Sequence, residues 1–105
     1  MKDLDDTPIA CSLTTPELRE REATLLAQFR SAVVETEELQ DGFAFHLTGG
    51  GKVIDLTAEL IGAERECCPF LTFEVVALPN KRPVIVRVTG PAGTKQFVKS
   101  VFMQL

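Results

Sequence analysis

Three cysteines carry the most distinctive chemistry in this chain of 105 residues: Cys11 near the start, and the adjacent pair Cys67 and Cys68. Thiolates suit soft cations, either Zn(II) with a fourth ligand or a heavy-metal or metalloid ion. The spacing is not the C-x-x-C of common zinc motifs, so a site requires the three sulfurs to meet in the fold. We predict that they do, with Cys11 reaching the pair from the segment before the first helix.

Three further residues are candidate accessory groups for such a site. Glu64 and Glu66 flank the cysteine pair, and either carboxylate is a candidate oxygen ligand or an outer partner of the ligands. The competing and safer interpretation is a carboxylate solvated at the end of a helix. His46 is the single histidine, and its strand alternation places it away from the core. It becomes a ligand only if the edge of the sheet meets the cysteines.

Other uses of the cysteines compete with metal or metalloid binding. A free cysteine is often a small buried hydrophobe, and a pair can serve redox chemistry, although a disulfide between adjacent cysteines is strained. A catalytic thiolate is least favoured, because the partial negative charge at a helix C-terminus disfavours it and the flanking Glu64 and Glu66 oppose Arg65. We therefore expect a non-enzymatic protein.

The pair itself is positioned by a predicted amphipathic helix over residues 52–67. Val53, Leu56, Leu60, Ala63 and Cys67 recur at alternating steps of three and four, which predicts their burial. The proline after Cys68 cannot continue the helix, and it disfavours helical backbone at the residue before it. Cys67 then lies in the last turn and Cys68 at the exit, with both sulfurs on one side.

Helix-capping residues, the alternation of apolar and polar residues, and turn residues predict the other helices and the strands. Thr15 and Pro16 predict the start of a helix that ends near Ser31. Its predicted buried residues are Leu18, Leu25, Leu26 and Phe29, with Arg19, Glu20, Arg21 and Glu22 facing water. Asp41-Gly42 predicts a hairpin. The predicted strands are 33–39, 43–48, 70–78 and 84–89, and a last helix covers 94 to about 102.

These elements predict an α+β fold, a two-layer sandwich whose four-stranded antiparallel sheet comes from two hairpins. The order is α-ββ-α-ββ-α, with helices mainly on one face, and we expect a ferredoxin-like arrangement. Residues 43–49 resemble 84–90, and 56–61 resemble 97–102, which indicates a pseudo-repeat of a ββα unit within one domain. We expect residues 1–8 to be a flexible acidic tail and 9–105 to be the domain.

The composition of the chain argues against two classes of partner, nucleic acids and membranes. The net charge of -4 and pI near 4.9 argue against nucleic-acid binding, and no apolar run approaches the ~20 residues of a membrane span. The start of the chain lacks the pattern of a signal peptide, so we expect a cytoplasmic protein whose cysteines are thiols or ligands. The alternative function is a small interaction or regulatory module, a homodimer through the sheet face that carries Ala44, His46, Ile85 and Arg87.

Three segments together resemble a family of small bacterial proteins of uncharacterised function and about this length. They are CSLTTPELRER at 11–21, LIGAERECCPFLTF at 60–73 and VRVTGP at 86–91. The first contains a Cys-x-Leu-Thr segment, and the second contains Glu-Cys-Cys-Pro-Phe. The resemblance implies that Cys11, Cys67 and Cys68 occur together as a set. It implies no activity, substrate or catalytic residue.

Overall fold

The computed structural model describes residues 15–80 and 82–103, and it confirms the predicted α-ββ-α-ββ-α order. Each predicted element is present, with ends that differ by at most a few residues. The elements are α1 (Pro16–Ala32), β1 (Val33–Leu39), β2 (Gly42–Leu47), α2 (Gly51–Cys67), β3 (Thr72–Ala77), β4 (Val84–Thr89) and α3 (Thr94–Val101). The predicted tail at 1–8 and Cys11 lie outside the described residues, so the proposed division of the chain stays a prediction.

The four strands form one antiparallel sheet in the order β1-β2-β4-β3. Each hairpin supplies two neighbouring strands, and the hairpins join where β2 pairs with β4, with Phe45 opposite Val86. The ferredoxin-like arrangement stays a prediction: β2 to α3 follow the β-α-β-β-α order of that fold, but β1 precedes them where the fold has its last strand after the second helix. Here both strand pairs are hairpins, and each is followed by a helix, α2 or α3.

Aromatic packing fills the core between the sheet and the helices. Phe29 of α1 makes edge-on contacts with Phe45 of β2 and Phe102 at the end of α3, at ring-centroid distances of 5.4 and 6.0 Å. Phe45 and Phe102 stack at 6.1 Å. Such pairs contribute about 0.5–1.5 kcal/mol beyond their buried area. One cluster therefore includes buried side chains from α1, the central strands and the segment that ends α3.

The start of α1 follows the predicted capping. The backbone N–H of Leu18 donates to Thr15 Oγ1 at 3.2 Å, and Pro16 occupies the first turn. Leu25, Leu26 and Phe29 are buried as predicted, whereas Leu18 is more than one-third exposed. Packing of α1 against α2 then brings the two helices side by side.

The buried stripe of α2 differs from the predicted one. Val53, Leu60 and Cys67 are buried as expected, but Leu56 and Ala63 are only half-buried. The positions between the buried apolar residues are instead taken by Thr57 and Glu64, both fully enclosed. Thr57 satisfies its hydroxyl by donating to the Val53 carbonyl at 2.8 Å. The predicted stripe of apolar residues is therefore wrong at two positions, because α2 faces the core with a stripe that includes the polar residues Thr57 and Glu64.

The face of the sheet away from the helices is polar and partly open. Glu74 and Arg87 are exposed, whereas His46 and Ile85 are half-buried. Ala44 is only 1 % exposed and lies opposite Glu37 and Arg87 in the ladder. Ala44 is thus enclosed within the chain itself, and the homodimer through this face stays a prediction. Among the described residues, none of the helices combines the length and the apolar character of a bilayer span.

Two glycines provide a matched test of this packing. A Cβ at Gly42 would lie 1.9 Å from the Val88 carbonyl oxygen of the neighbouring strand, whereas one at Gly62 of α2 would meet nothing within 4 Å. We expect Gly42→Ala to lower the free energy of unfolding by about 2 kcal/mol or more, through this backbone clash. Gly62→Ala should raise it by about 0.5–1 kcal/mol, because alanine favours helix. Urea unfolding followed by circular dichroism measures both, and equal stability of the two variants would contradict the register of β2 with β4.

Candidate metal centre

Four side chains with metal-binding atoms converge where α1 packs against the end of α2. They are Glu22 of α1, Glu64 and Cys67 of α2, and Cys68 directly after it. One ligand atom from each lies within 4.8 Å of all the others. We call these four residues the Cys–Glu centre. A group of two thiols and two carboxyls at this spacing could hold a metal ion.

The end of α2 places three of the four groups. Glu64 and Cys67 are three residues apart and so lie on the same face of the helix. Cys68 leaves the helix with φ -127° and ψ 72°, while its backbone N–H still donates to the Glu64 carbonyl at 2.6 Å. This exit turns the Cys68 side chain toward that of Cys67. The prediction that Pro69 ends the helix with both sulfurs on one side is thereby confirmed.

The two sulfurs are close but not bonded to each other. Cys67 Sγ and Cys68 Sγ are 3.2 Å apart, whereas a disulfide bond measures about 2.05 Å. The strained disulfide between adjacent residues is therefore not formed in this structure. Both cysteines are almost completely enclosed, at 0 % and 1 % exposure.

Glu22 completes the centre from the neighbouring helix. Its Oε2 atom lies 3.1 Å from Cys67 Sγ, and Glu64 Oε1 lies 3.9 Å from the same sulfur. Just beside Glu22, Arg21 forms an ion pair of 3.4 Å with Glu59 of α2. Both partners of that pair are exposed, so it contributes little energy, but it links the two helices beside the centre.

The electrostatics of the centre are set by the burial of Glu64. Its side chain is 0 % exposed, and its Oε2 atom accepts no hydrogen bond from any described residue. Burial raises the pKa of Glu64 to about 9, and contact with the Glu22 carboxyl and its charge add to the rise. The thiols of Cys68 and Cys67 act in the opposite direction. At neutral pH, Glu64 is therefore protonated in the absence of a bound cation.

The structure brings together some of the predicted site residues and not others. Cys67, Cys68 and Glu64 meet, whereas Glu66 and His46 lie outside this cluster, and His46 Nε2 is instead 3.6 Å from Glu37 Oε1. The preferred interpretation of Glu64 as a solvated carboxylate is wrong, because its position on α2 faces the core. Cys11 lies outside the described residues, so its part in the site stays a prediction.

Sequence reasoning missed Glu22, which it assigned to the water-facing side of α1. The signal that could have found it is the helical spacing of Leu18, Glu22, Leu25 and Phe29, in which Glu22 occupies a position on the buried stripe. Its side chain is half-buried in the structure. Glu22 on α1 and Glu64 on α2 each occupy a position on the buried stripe of their helix. Such a pair of carboxyl groups indicates a polar site where the two helices pack together.

No protein-family model, curated protein or solved structure matches this chain. The resemblance to small bacterial proteins accordingly stays a prediction.

The buried carboxyl of Glu64 gives the metal-free protein a distinctive pH dependence. In the unfolded chain, Glu64 releases its proton above pH 4.5. In the folded state it keeps that proton until the pH reaches its raised pKa of about 9. Because the folded state binds more protons in this window, stability must fall as pH rises through it. We expect the slope to reach at most about 1.4 kcal/mol per pH unit, and Glu64→Gln to flatten it.

The measurement is chemical unfolding between pH 5.5 and 8.5, in the presence of a chelator and a reductant. Glu20→Gln, which changes an exposed carboxyl on the same helix as Glu22, is the matched control and should follow the wild-type curve. A Glu64→Gln profile parallel to that of the wild type would show that Glu64 is not buried as a neutral acid.

Proposed function

We propose that this protein binds a soft cation, zinc or a heavy-metal or metalloid ion, through the thiolates of Cys67 and Cys68. Glu22 and Glu64 act as oxygen ligands or hold the thiolates in place. The observation that carries the proposal is the buried Cys–Glu centre itself, with four potential ligand atoms within 4.8 Å. Cys11, predicted from sequence to join the pair, is included as a further thiolate ligand.

The composition of the centre is difficult to explain by packing alone. Burying a polar group with incomplete hydrogen bonding costs about 1–3 kcal/mol. Glu64 Oε2 accepts no hydrogen bond from a described residue, and the enclosed carboxyl is kept neutral by a raised pKa beside the Glu22 carboxyl. A valine or leucine at that position would extend the apolar stripe without this loss. A bound cation, in contrast, gives the oxygen a partner and supplies the positive charge that thiolates and carboxylates need.

The proposed setting is the cytoplasm, because cysteines remain reduced there and available as ligands. The proposed role is binding rather than catalysis. Cys67 lies at the C-terminal end of α2, where the helix dipole opposes a thiolate, and Glu22 adds negative charge next to the sulfur. An unmetallated thiolate nucleophile is thus disfavoured at this place.

Cadmium titration of the reduced, metal-free protein tests the proposal. We expect one ion per chain, detected by native mass spectrometry and by ultraviolet absorbance of the cadmium–thiolate bonds. Cys67→Ser and Cys68→Ser should each weaken binding by about a hundredfold or more, and Glu22→Gln and Glu64→Gln by about 10–100-fold, the range seen for groups that support ligands.

Two variants sharpen this experiment. Glu20→Gln on α1 removes the same charge as Glu22→Gln but at an exposed position, and should bind like the wild type. Cys11→Ser measures whether the N-terminal cysteine is a ligand. Undiminished binding by a protein that lacks both Cys67 and Cys68 would refute the proposed function.

A second candidate function, self-association, is supported by the exposed edge of β3. Val75 and Val76 are 44 % and 37 % exposed, and the strand pairs only with β4 among the described residues. Edge strands are usually protected by charge, as β1 is by Glu35, Glu37 and Glu38, whereas β3 has only Glu74. We propose that β3 pairs antiparallel with β3 of a second copy, which makes a continuous sheet across a homodimer.

Substitution at this edge tests the dimer. Val75→Lys places a charge on the proposed interface and should shift the protein to a monomer in analytical ultracentrifugation, with unchanged circular dichroism. Val34→Lys at the opposite edge is the matched control, since Val34 is 62 % exposed on β1. A wild-type protein that sediments as a monomer at every concentration would eliminate the homodimer.

A further inference from the structure

The separation of the two sulfurs favours one class of ion, an inference that rests on the proposed function. With metal–sulfur bonds of ~2.3 Å, a tetrahedral zinc site with angles near ~109° needs its sulfurs about 3.8 Å apart. Cys67 Sγ and Cys68 Sγ are only 3.2 Å apart. For two bonds of ~2.3 Å, that separation corresponds to a sulfur–ion–sulfur angle of about 88°.

An angle close to a right angle is typical of a trivalent centre that keeps a lone pair, such as As(III) or Sb(III), whose three bonds form a low pyramid. A linear two-coordinate ion needs its sulfurs on opposite sides, at twice the bond length. We infer that the Cys–Glu centre selects a trivalent, pyramidal metalloid, which Cys67 and Cys68 chelate as a dithiolate. This names the class of ion for the site proposed above.

The fold restricts how far the sulfurs can separate. The two cysteines are adjacent in the chain, and the Cys68 N–H is held on the Glu64 carbonyl at 2.6 Å. Both side chains also belong to the buried core cluster, together with Leu60 and Phe70. Widening the pair to a tetrahedral spacing would require movement of packed side chains, whereas a pyramidal ion fits the preformed spacing.

The chelation step balances without any change of oxidation state. Arsenous acid exchanges two of its three hydroxyl groups for the two sulfurs. Two arsenic–oxygen and two sulfur–hydrogen bonds break, and two arsenic–sulfur bonds form. Each thiol proton leaves with a displaced hydroxyl group as water. The third hydroxyl stays on arsenic or is exchanged in the same way by a further thiol.

Phenylarsenous acid is the sharpest probe, because it has only two exchangeable hydroxyl groups and so requires two neighbouring thiols. We expect the wild type and Cys11→Ser to bind one arsenic per chain by native mass spectrometry, in the presence of excess glutathione. Cys67→Ser and Cys68→Ser should weaken binding by about a hundredfold or more, because a single thiol loses the advantage of chelation. Circular dichroism confirms that each variant is folded.

A measurement on the wild type keeps the test independent of the variants. Because both cysteines are enclosed in the native fold, alkylation by iodoacetamide is carried out in enough urea to expose them. Bound arsenical should slow the alkylation of Cys67 and Cys68, but not of Cys11, as located by peptide mass mapping. The inference is overturned if glutathione displaces the arsenical while cadmium still binds through Cys67 and Cys68. The proposed function stands in that case. If Cys67→Ser and Cys68→Ser bind both cadmium and the arsenical as tightly as the wild type does, this inference and the proposed function are both overturned.

Discussion

A carboxyl group enclosed between two helices is the constraint on which the arrangement around it depends. Glu64 is fully buried at the seam of α1 and α2, beside a second carboxyl and two thiols. Removing a carboxylate from water is so unfavourable that the group either stays protonated or acquires a compensating charge. The packing of α1 onto α2 is thus tied to the chemical state of one side chain. A cation bound there would stabilise the same helix pair that creates its site.

The apolar stripes of α1 and α2 supply the favourable free energy that offsets the burial of Glu64. On α1, Leu25, Leu26 and Phe29 are buried, and Phe29 contacts both Phe45 and Phe102. On α2, Val53 and Leu60 join the same core. Apolar burial contributes roughly 25 cal/mol per Å², so these side chains hold the helices together and offset the loss at Glu64. The polar residues lie at the end of the seam, past the aromatic cluster.

Much of the fold could be predicted from local signals in the sequence. Thr15-Pro16, Asp41-Gly42 and Pro69 mark chain turns through fixed backbone preferences, and the structure uses each of them. Alternation identified the inner faces of β2 and β4, where Phe43, Phe45 and Val86 are buried. The strand order was not predicted, because two hairpins can join through different strands: here β2 pairs with β4 and not with β3, the next strand along the chain.

The site was predictable only in part, since its members come from different elements. Cys67 and Cys68 are adjacent, and the helix end fixes their relation. Glu22 and Glu64 were harder to identify, because a charged residue on a helix is usually solvated and only the meeting of two stripes reveals otherwise. The contact between Glu22 and Cys67 spans 45 positions of the chain, which no local pattern encodes.

The unequal lengths of the second and third helices have a consequence for how this architecture divides its tasks. α2 has 17 residues and α3 has 8, although each follows a similar hairpin. The part of α2 that resembles α3 ends near Ile61, and Glu64 and Cys67 lie beyond it, on an extension of almost two turns. The repeated ββα pattern and the extension that carries Glu64 and Cys67 therefore occupy separate stretches of sequence. Substitutions in the extension thus act first on its contacts with α1, an element that lies outside the repeated ββα pattern.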